Sequence, residues 1–283
     1  MERFKLNVVS TDWLHENLDA PDIRVVDATW YMPTERKDAR AEHKAAHIPG
    51  AVYFDIDEIC DTATDLPHML PSPEKFSSRV RRLGLGDGVR IVIYDSHGIF
   101  SSPRVWWMFK AFGHEQVAIL DGGLPKWRAE GRPLENLPPM PRERHFTARL
   151  NSDLVRGLDQ MKDNQDKGLW QVVDARPEAR FKGDAPEPRA GLKKGHIPGA
   201  MNVPFTSLIH SNGTIKGPME IKGMFEQAGA DFTKPIVTSC GSGVTAAILS
   251  LALTDAGHAD VSLYDGSWAE WGDEGADNPV EAG

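Results

Sequence analysis

The feature that most limits what this chain can fold into is that it repeats itself at long period. VVDATW from Val25 returns as VVDARP from Val172, and HIPGA from His47 returns from His196. IVIYD from Ile91 returns as IVTSC from Ile236, and LDGGLPKW from Leu120 as YDGSWAEW from Tyr264. The blocks keep their order, and their offsets all lie between 144 and 149 residues. Such near-constancy reads as two homologous domains in tandem, and the period is far too long for a solenoid. The expected boundaries are a first domain over 1–131, a Pro-rich linker over 132–148 and a second domain over 149–283. The linker holds RPLENLPPMPRERHF, four prolines with little apolar periodicity, and reads as extended chain. The closing GDEGADNPVEAG is acidic and Gly-rich and reads as a frayed tail.

Each copy carries short β-branched runs: RVVDA, AVYFD, RIVIYD and VAILDG in the first, QVVDA, AMNVP, PIVTSC and VSLYDG in the second. Runs without strict alternation predict strands buried on both faces. Helical patterns lie between them. STDWLHENL opens on Ser10 as N-cap, and SPEKFSSRVRRLGLGD opens on Ser72 with Pro73 at the first helical position. SPRVWWMFKAFGH and VTAAILSLALTDAGH each follow the third strand of their copy. The expected fold class is α/β, two tandem domains, each a parallel sheet with helices on both faces. In such sheets a site is expected beyond the carboxyl ends of the strands.

Composition removes several function classes. The 283 residues carry 32 Lys+Arg against 41 Asp+Glu, a formal net charge of −9. That acidic balance argues against nucleic acid as a partner. No run approaches the length of a membrane helix, so no membrane association is expected. MERFKLNVVSTDW lacks an apolar core and an Arg/Ser-rich, acid-poor character, and the cytoplasm is the expected compartment.

The only cysteines are Cys60 and Cys240. Neither belongs to a C-x-x-C, so no structural zinc site is expected. Cys60 reads as a small buried hydrophobe. Cys240 has a different setting. A buried strand ends on it, Gly241, Ser242 and Gly243 follow at once, and a helix is expected from Val244 or Thr245. Glycines let successive N–H groups turn inward as an anion-binding nest, and the helix start adds its own N–H groups and dipole. A sulfur in that cradle is expected to be a thiolate at neutral pH and to act as a nucleophile, with backbone dipoles stabilising anionic intermediates. The aligned position in the first copy is Asp95, which cannot be a sulfur nucleophile, so that copy is expected to be non-catalytic.

With CGSGVTA from Cys240, RFKGDAPEPRAGLKKGHIPGA from Arg180, the doubled HIPGA, SPRVWWMFKAFGH and DGSWAEW in view, the chain resembles the tandem-domain rhodanese family of sulfurtransferases. The resemblance covers nearly the whole chain and is closest to the branch that uses 3-mercaptopyruvate. It implies a ping-pong cycle without metal or organic cofactor. Cys240 takes sulfur from 3-mercaptopyruvate, pyruvate leaves, and the persulfide passes to a small thiol, thioredoxin or cyanide. The loop amides of Gly241, Gly243, Val244 and Thr245 would help cradle it. Arg180 and Arg189 match the positions that hold the donor's carboxylate and carbonyl, as a planar guanidinium suits. A proposed Ser–His–Asp relay falls on Ser242, His68 and Asp57. The alternative on the same fold is a thiosulfate:cyanide sulfurtransferase. Its members typically place basic side chains after the cysteine, to meet a dianion, whereas this loop is neutral.

Other features read as structural. His47 and His196 recur in both copies although one lacks the nucleophile. Trp106, Trp107 and Phe109 fall at helical spacing, and Trp127 and Trp271 recur as packing residues. A cysteine phosphatase would need C-x5-R, and Ala246 stands where that arginine belongs. A sulfur-carrying or regulatory binding module is the non-enzyme reading, against which stand the intact loop and both arginines. Two copies already make a pseudo-dimer, so a monomer is expected.

Overall fold

The computed structural model describes residues 7–283, so the first six residues of the N-terminal stretch read above lie outside the described residues. The first repeat runs β1 (Val8–Val9), α1 (Thr11–Asn17), β2 (Ile23–Asp27), α2 (Ala39–Ala45), β3 (Val52–Tyr53), α3 (Pro73–Arg82), β4 (Arg90–Tyr94), α4 (Ser102–Ala111), β5 (Val117–Leu120) and α5 (Gly123–Ala129). The second runs β6 (Val155–Arg156), α6 (Leu158–Lys167), β7 (Gln171–Asp174), α7 (Glu178–Phe181), β8 (Met201–Asn202), α8 (Pro218–Gln227), β9 (Ile236–Ser239), α9 (Ala246–Asp255), β10 (Val261–Tyr264) and α10 (Ser267–Trp271). The sheets have orders β1-β5-β4-β2-β3 and β6-β10-β9-β7-β8, with every pairing parallel. The two topologies coincide strand for strand. Every residue of β4, β5, β9 and β10 is buried, which a strand achieves only when both of its faces are covered.

Local chemistry sets the helix starts. Ser10 accepts the Trp13 N–H and Ser72 accepts the Lys75 N–H, with Pro73 at the first turn of α3. The strands predicted from AVYFD and AMNVP shrink to two residues each. They lie at the sheet edge, where only one neighbour supplies ladder bonds.

Two compact units result. Among the described residues, the first comprises 7–61, Pro71–Leu150 and His210–Ile215; the second comprises Thr62–Leu70, Asn151–Ile209 and Lys216–Gly283. Each unit therefore holds a short segment from the other repeat. In the first, the Ile215 N–H donates to Asp121 Oδ1 at 2.9 Å. In the second, the Leu70 N–H donates to Asp265 Oδ2 at 2.7 Å. Asp121 and Asp265 are the aspartates of the repeated DG motif.

The Pro-rich stretch is irregular, but it is strapped to the first unit. Phe146 is buried against Phe76, Phe109 and His114, and the Asp87 N–H donates to the His145 carbonyl at 2.8 Å. Burying one such ring stabilises by roughly 1.5–3 kcal/mol.

The expectation of a frayed tail is corrected. Glu281 and His196 exchange both backbone hydrogen bonds, and Trp271 Nε1 donates to the Pro279 carbonyl at 2.8 Å. The first unit uses the same device, with Glu135 against His47 and Trp127 Nε1 on the Pro133 carbonyl. Pro133-Leu134-Glu135 and Pro279-Val280-Glu281 are thus one repeated block, too short and too divergent to register beside the longer ones.

Candidate active site

Cys240 stands at the carboxyl end of β9 and is 2% exposed. The loop 241–245 follows, and α9 begins at Ala246, slightly later than predicted. Thr245 occupies the N-cap, yet its hydroxyl makes no capping bond. Gly243 has φ +76°, a conformation that favours glycine. At Gly241 a Cβ would lie 3.2 Å from Arg180 Nη2, so a side chain there would push the guanidinium back by a few tenths of an ångström. Among the described residues, the backbone N–H groups of Gly241, Ser242, Gly243, Val244 and Thr245 donate to no acceptor within the chain.

The opposite side of the cysteine is tied down by α10. The Cys240 N–H donates to Ser267 Oγ at 3.2 Å. The Cys240 and Gly241 carbonyls accept the Trp268 and Ala269 N–H groups, each at 2.9 Å.

Arg180 is held beside this loop by a chain of charges that sequence reasoning missed. Its guanidinium pairs with Glu187, whose side chain is 2% exposed. Glu187 also accepts from Arg176 Nη1 at 2.8 Å, and Arg176 grips Asp174 through Nε (2.9 Å) and Nη2 (2.7 Å). Arg176 further donates to the Gly195 carbonyl at 2.9 Å and lies over the Trp268 ring, 4.4 Å from its centroid. Burial opposes the charge on Arg176, but the Asp174 and Glu187 carboxylates outweigh it and hold the guanidinium above the usual arginine range. The alternation Asp174, Arg176, Glu187, Arg180 was visible as residue types. Only the fold shows that it forms one line. Arg189 is half-buried in the stretch between α7 and β8.

Ser242 is buried within the loop, and His68 is buried in the same unit. His68 has φ +61°, in the left-handed region that a non-glycine residue adopts only at a cost. Asp57 belongs to the first unit, where its Oδ2 accepts from Trp30 Nε1 at 2.9 Å. Cys60 is buried, its Sγ donates to the Asp57 carbonyl at 3.0 Å, and burial pushes its thiol up. Both cysteines are free thiols. The repeated histidines are buried hydrogen-bonders: His47 Nδ1 meets the His43 carbonyl at 2.7 Å, and His196 Nδ1 meets that of Phe181 at 2.8 Å. Trp106, Trp107, Phe109, Trp127 and Trp271 are all buried.

The first unit has the same strand–loop–helix, and there the loop is filled from within. Asp95 is fully buried. Its Oδ1 accepts the His97 N–H at 2.9 Å. Its Oδ2 accepts the N–H groups of Phe100 (2.8 Å), Ser101 (3.0 Å) and Ser102 (2.9 Å) and the Ser102 hydroxyl (2.6 Å). A loop at this point in the fold does gather main-chain donors on an anion-sized group.

The rhodanese-like domain family matches this chain twice, over residues 10–130 and 157–274. Thiosulfate/3-mercaptopyruvate sulfurtransferase 1, mitochondrial, of Arabidopsis thaliana is 44% identical over 300 residues, covering 97% of this chain and 78% of that protein. Human 3-mercaptopyruvate sulfurtransferase is 44% identical over 270 residues, covering 93% of this chain and 91% of that one. Among solved structures, that of the Escherichia coli 3-mercaptopyruvate sulfotransferase SseA superposes with a TM-score of 0.86 at 40% identity, covering 94% of this chain and all of that one. With two matched domains, a doubled parallel sheet and a cysteine loop in the second copy alone, the chain belongs to the tandem rhodanese-like sulfurtransferases.

Proposed function

We propose that this sulfurtransferase takes its sulfur from 3-mercaptopyruvate through Cys240. The observation that carries the reading is the loop itself: a sulfur at the end of β9, five consecutive N–H groups turned from internal acceptors, and the Arg180 guanidinium beside Gly241. The Cys240 sulfur attacks the sulfur of the donor. The donor's C–S bond breaks, its electron pair leaves on carbon as the enolate of pyruvate, and a proton completes pyruvate. Cys240 then carries a persulfide whose negative outer sulfur suits the loop amides. An acceptor thiolate, from thioredoxin or a small thiol, or cyanide attacks that outer sulfur, and the S–S electron pair returns to Cys240.

Arg180 and Arg189 are assigned to the donor's carboxylate and carbonyl. Glu187 supports this for Arg180, because a guanidinium already braced on one side loses less freedom on binding. Ser242 and His68 are assigned to hold and pass the proton, a role that the αL backbone of buried His68 supports. The place of Asp57 in that relay rests on the resemblance alone. No helix among the described residues is long and apolar enough to cross a membrane. We assign the reaction to the cytoplasm, where two free cysteines stay reduced, and to a monomer, since one chain holds both repeats.

The second reading is thiosulfate as donor, which the double name of the Arabidopsis relative favours. The neutral Gly241-Ser242-Gly243 run favours the monoanionic keto acid. The ratio of kcat/KM for the two donors decides between them: we expect it to favour 3-mercaptopyruvate, and a preference for thiosulfate would overturn the assignment.

A further inference from the structure

The two repeats differ at one backbone position in a way that points to a residue outside the assigned machinery. Ser267 opens α10 with φ +50°, a left-handed conformation that a side-chain-bearing residue adopts only at a cost. Its counterpart is Gly123, which opens α5 with φ +52°. The backbone is the same and the non-catalytic repeat uses the residue that suits it. A Cβ on Gly123 would lie 2.5 Å from the Gly98 carbonyl and 2.6 Å from that of Asp95. The catalytic repeat makes room for a side chain there and accepts the strained conformation.

What the serine adds is specific. Its fully buried hydroxyl receives the Cys240 N–H at 3.2 Å and donates to the Tyr264 carbonyl at 2.9 Å. Beside it, Trp268 N–H binds the Cys240 carbonyl and Ala269 N–H binds the Gly241 carbonyl. Three bonds thus run from α10 to this stretch, two to the peptide groups on either side of the Cys240 Cα and one to the peptide group after Gly241. In the first repeat one of the three survives, from the Leu124 N–H to the Asp95 carbonyl at 3.0 Å. Gly123 has no hydroxyl, and Pro125, opposite Ala269, has no N–H.

We propose that Ser267 is a positioning residue for sulfur transfer: it orients the Cys240 backbone so that the sulfur projects toward the loop amides. The proposal rests on Cys240 as nucleophile, and it adds a residue that never touches the donor. Strain kept at a site where the other repeat uses glycine on the same backbone points to function.

The test compares Ser267→Gly and Ser267→Ala. Glycine removes the hydroxyl and the strain together, and Gly123 shows that it supports this backbone. Alanine removes only the hydroxyl. We expect kcat for pyruvate release to fall about tenfold in both, as for one lost orienting hydrogen bond, with KM for 3-mercaptopyruvate changing less than about twofold. The rate of Cys240 alkylation by iodoacetamide at fixed neutral pH, mapped by mass spectrometry, should fall in step. Thermal midpoints should separate in the other sense, glycine at or above alanine. Wild-type kcat and alkylation rate in Ser267→Gly would overturn the proposal, as would a loss of kcat confined to alanine. Should alanine fail to fold, glycine alone carries the test. Full activity in Cys240→Ser is a different failure, that of the nucleophile assignment, and is read separately.

Discussion

The turn after β4 and the turn after β9 are the same piece of protein put to opposite uses. In the first, the residue at the strand end is Asp95, and five donors converge on its carboxyl group. In the second, the residue is Cys240, and the loop N–H groups that follow find no acceptor within the chain among the described residues. A side chain one carboxyl group long brings its own anion into the nest and closes it. A side chain ending in sulfur leaves the nest to whatever charge the sulfur acquires. One repeat spends the geometry on stability and the other on chemistry, the usual trade at functional sites.

The sharpest break of that comparison is a double dissociation. Cys240→Ala should abolish pyruvate release from 3-mercaptopyruvate while shifting folding stability by no more than about 1 kcal/mol. Asp95→Ala should do the reverse, costing on the order of 3–5 kcal/mol by orphaning buried donors. Wherever that variant remains folded, its activity should persist. Denaturant melts and a pyruvate assay on both variants read all four values. Activity lost with Asp95 at full folding would mean that the first repeat takes part in chemistry.

Next in size is the anion-binding side of the second repeat. Arg189→Glu should weaken use of 3-mercaptopyruvate by on the order of 2–4 kcal/mol, seen mainly as a raised KM. An unchanged KM would put the carboxylate elsewhere.

The two thiols provide a smaller, qualitative contrast. Burial pushes the Cys60 thiol up, so at neutral pH it should resist alkylation. Cys240 should be labelled first, and donor pretreatment should add sulfur there alone. Equal labelling of both thiols in the folded protein would erase the distinction.

The smallest expected effect is a pair of opposite pH dependences at the equivalent helices. Burial raises Glu130, but hydrogen bonds from Lys126, Thr11 and Arg132 outweigh it and bring the carboxyl down to about 2. A depressed acid stabilises the fold above its ordinary value of 4.5, and that contribution is lost as pH falls toward 2. Where the first repeat has Lys126, the second has Glu270, whose carboxyl is raised by burial. A raised acid contributes below 4.5 and that contribution is lost as pH climbs through its folded value. Glu130→Gln should therefore lower the thermal midpoint at neutral pH, and Glu270→Gln should raise it. Acidification should close the Glu270 difference on the way down to 4.5 and narrow the Glu130 difference only below 4.5. Shifts of the same sign would contradict the contrast between the two helices.

Much of this was legible beforehand because it is written locally. Helix caps at Ser10 and Ser72, β-branched runs and the Cys240 glycine loop each occupy a few neighbouring residues, and the repeat makes the strand signals appear twice. The tail escaped because Pro279-Val280-Glu281 carries its information only through a partner, His196, more than eighty residues earlier. Glu187 escaped for the same reason: beside Arg189 it looks like an ordinary surface pair, and its bridge between Arg176 and Arg180 exists only once α7 and the following stretch fold back. Thr245 shows the limit of local reading from the other side. It stands at the predicted helix start, but its hydroxyl does not cap.

By itself, then, the amino-acid sequence determined two copies of one α/β plan, the copy that bears the sulfur, and the residue types placed around it. Those follow from periodicity, turn chemistry and chain order, which act over a few residues. Tertiary structure alone decided that Asp95 fills its own cradle while the Cys240 loop stays open, that four alternating charges line up behind Arg180, and that Ser267 reaches the Cys240 backbone. Each depends on where side chains end up after distant segments pack, and hydrogen bonds a few ångströms long cannot be read from residues that meet only in three dimensions.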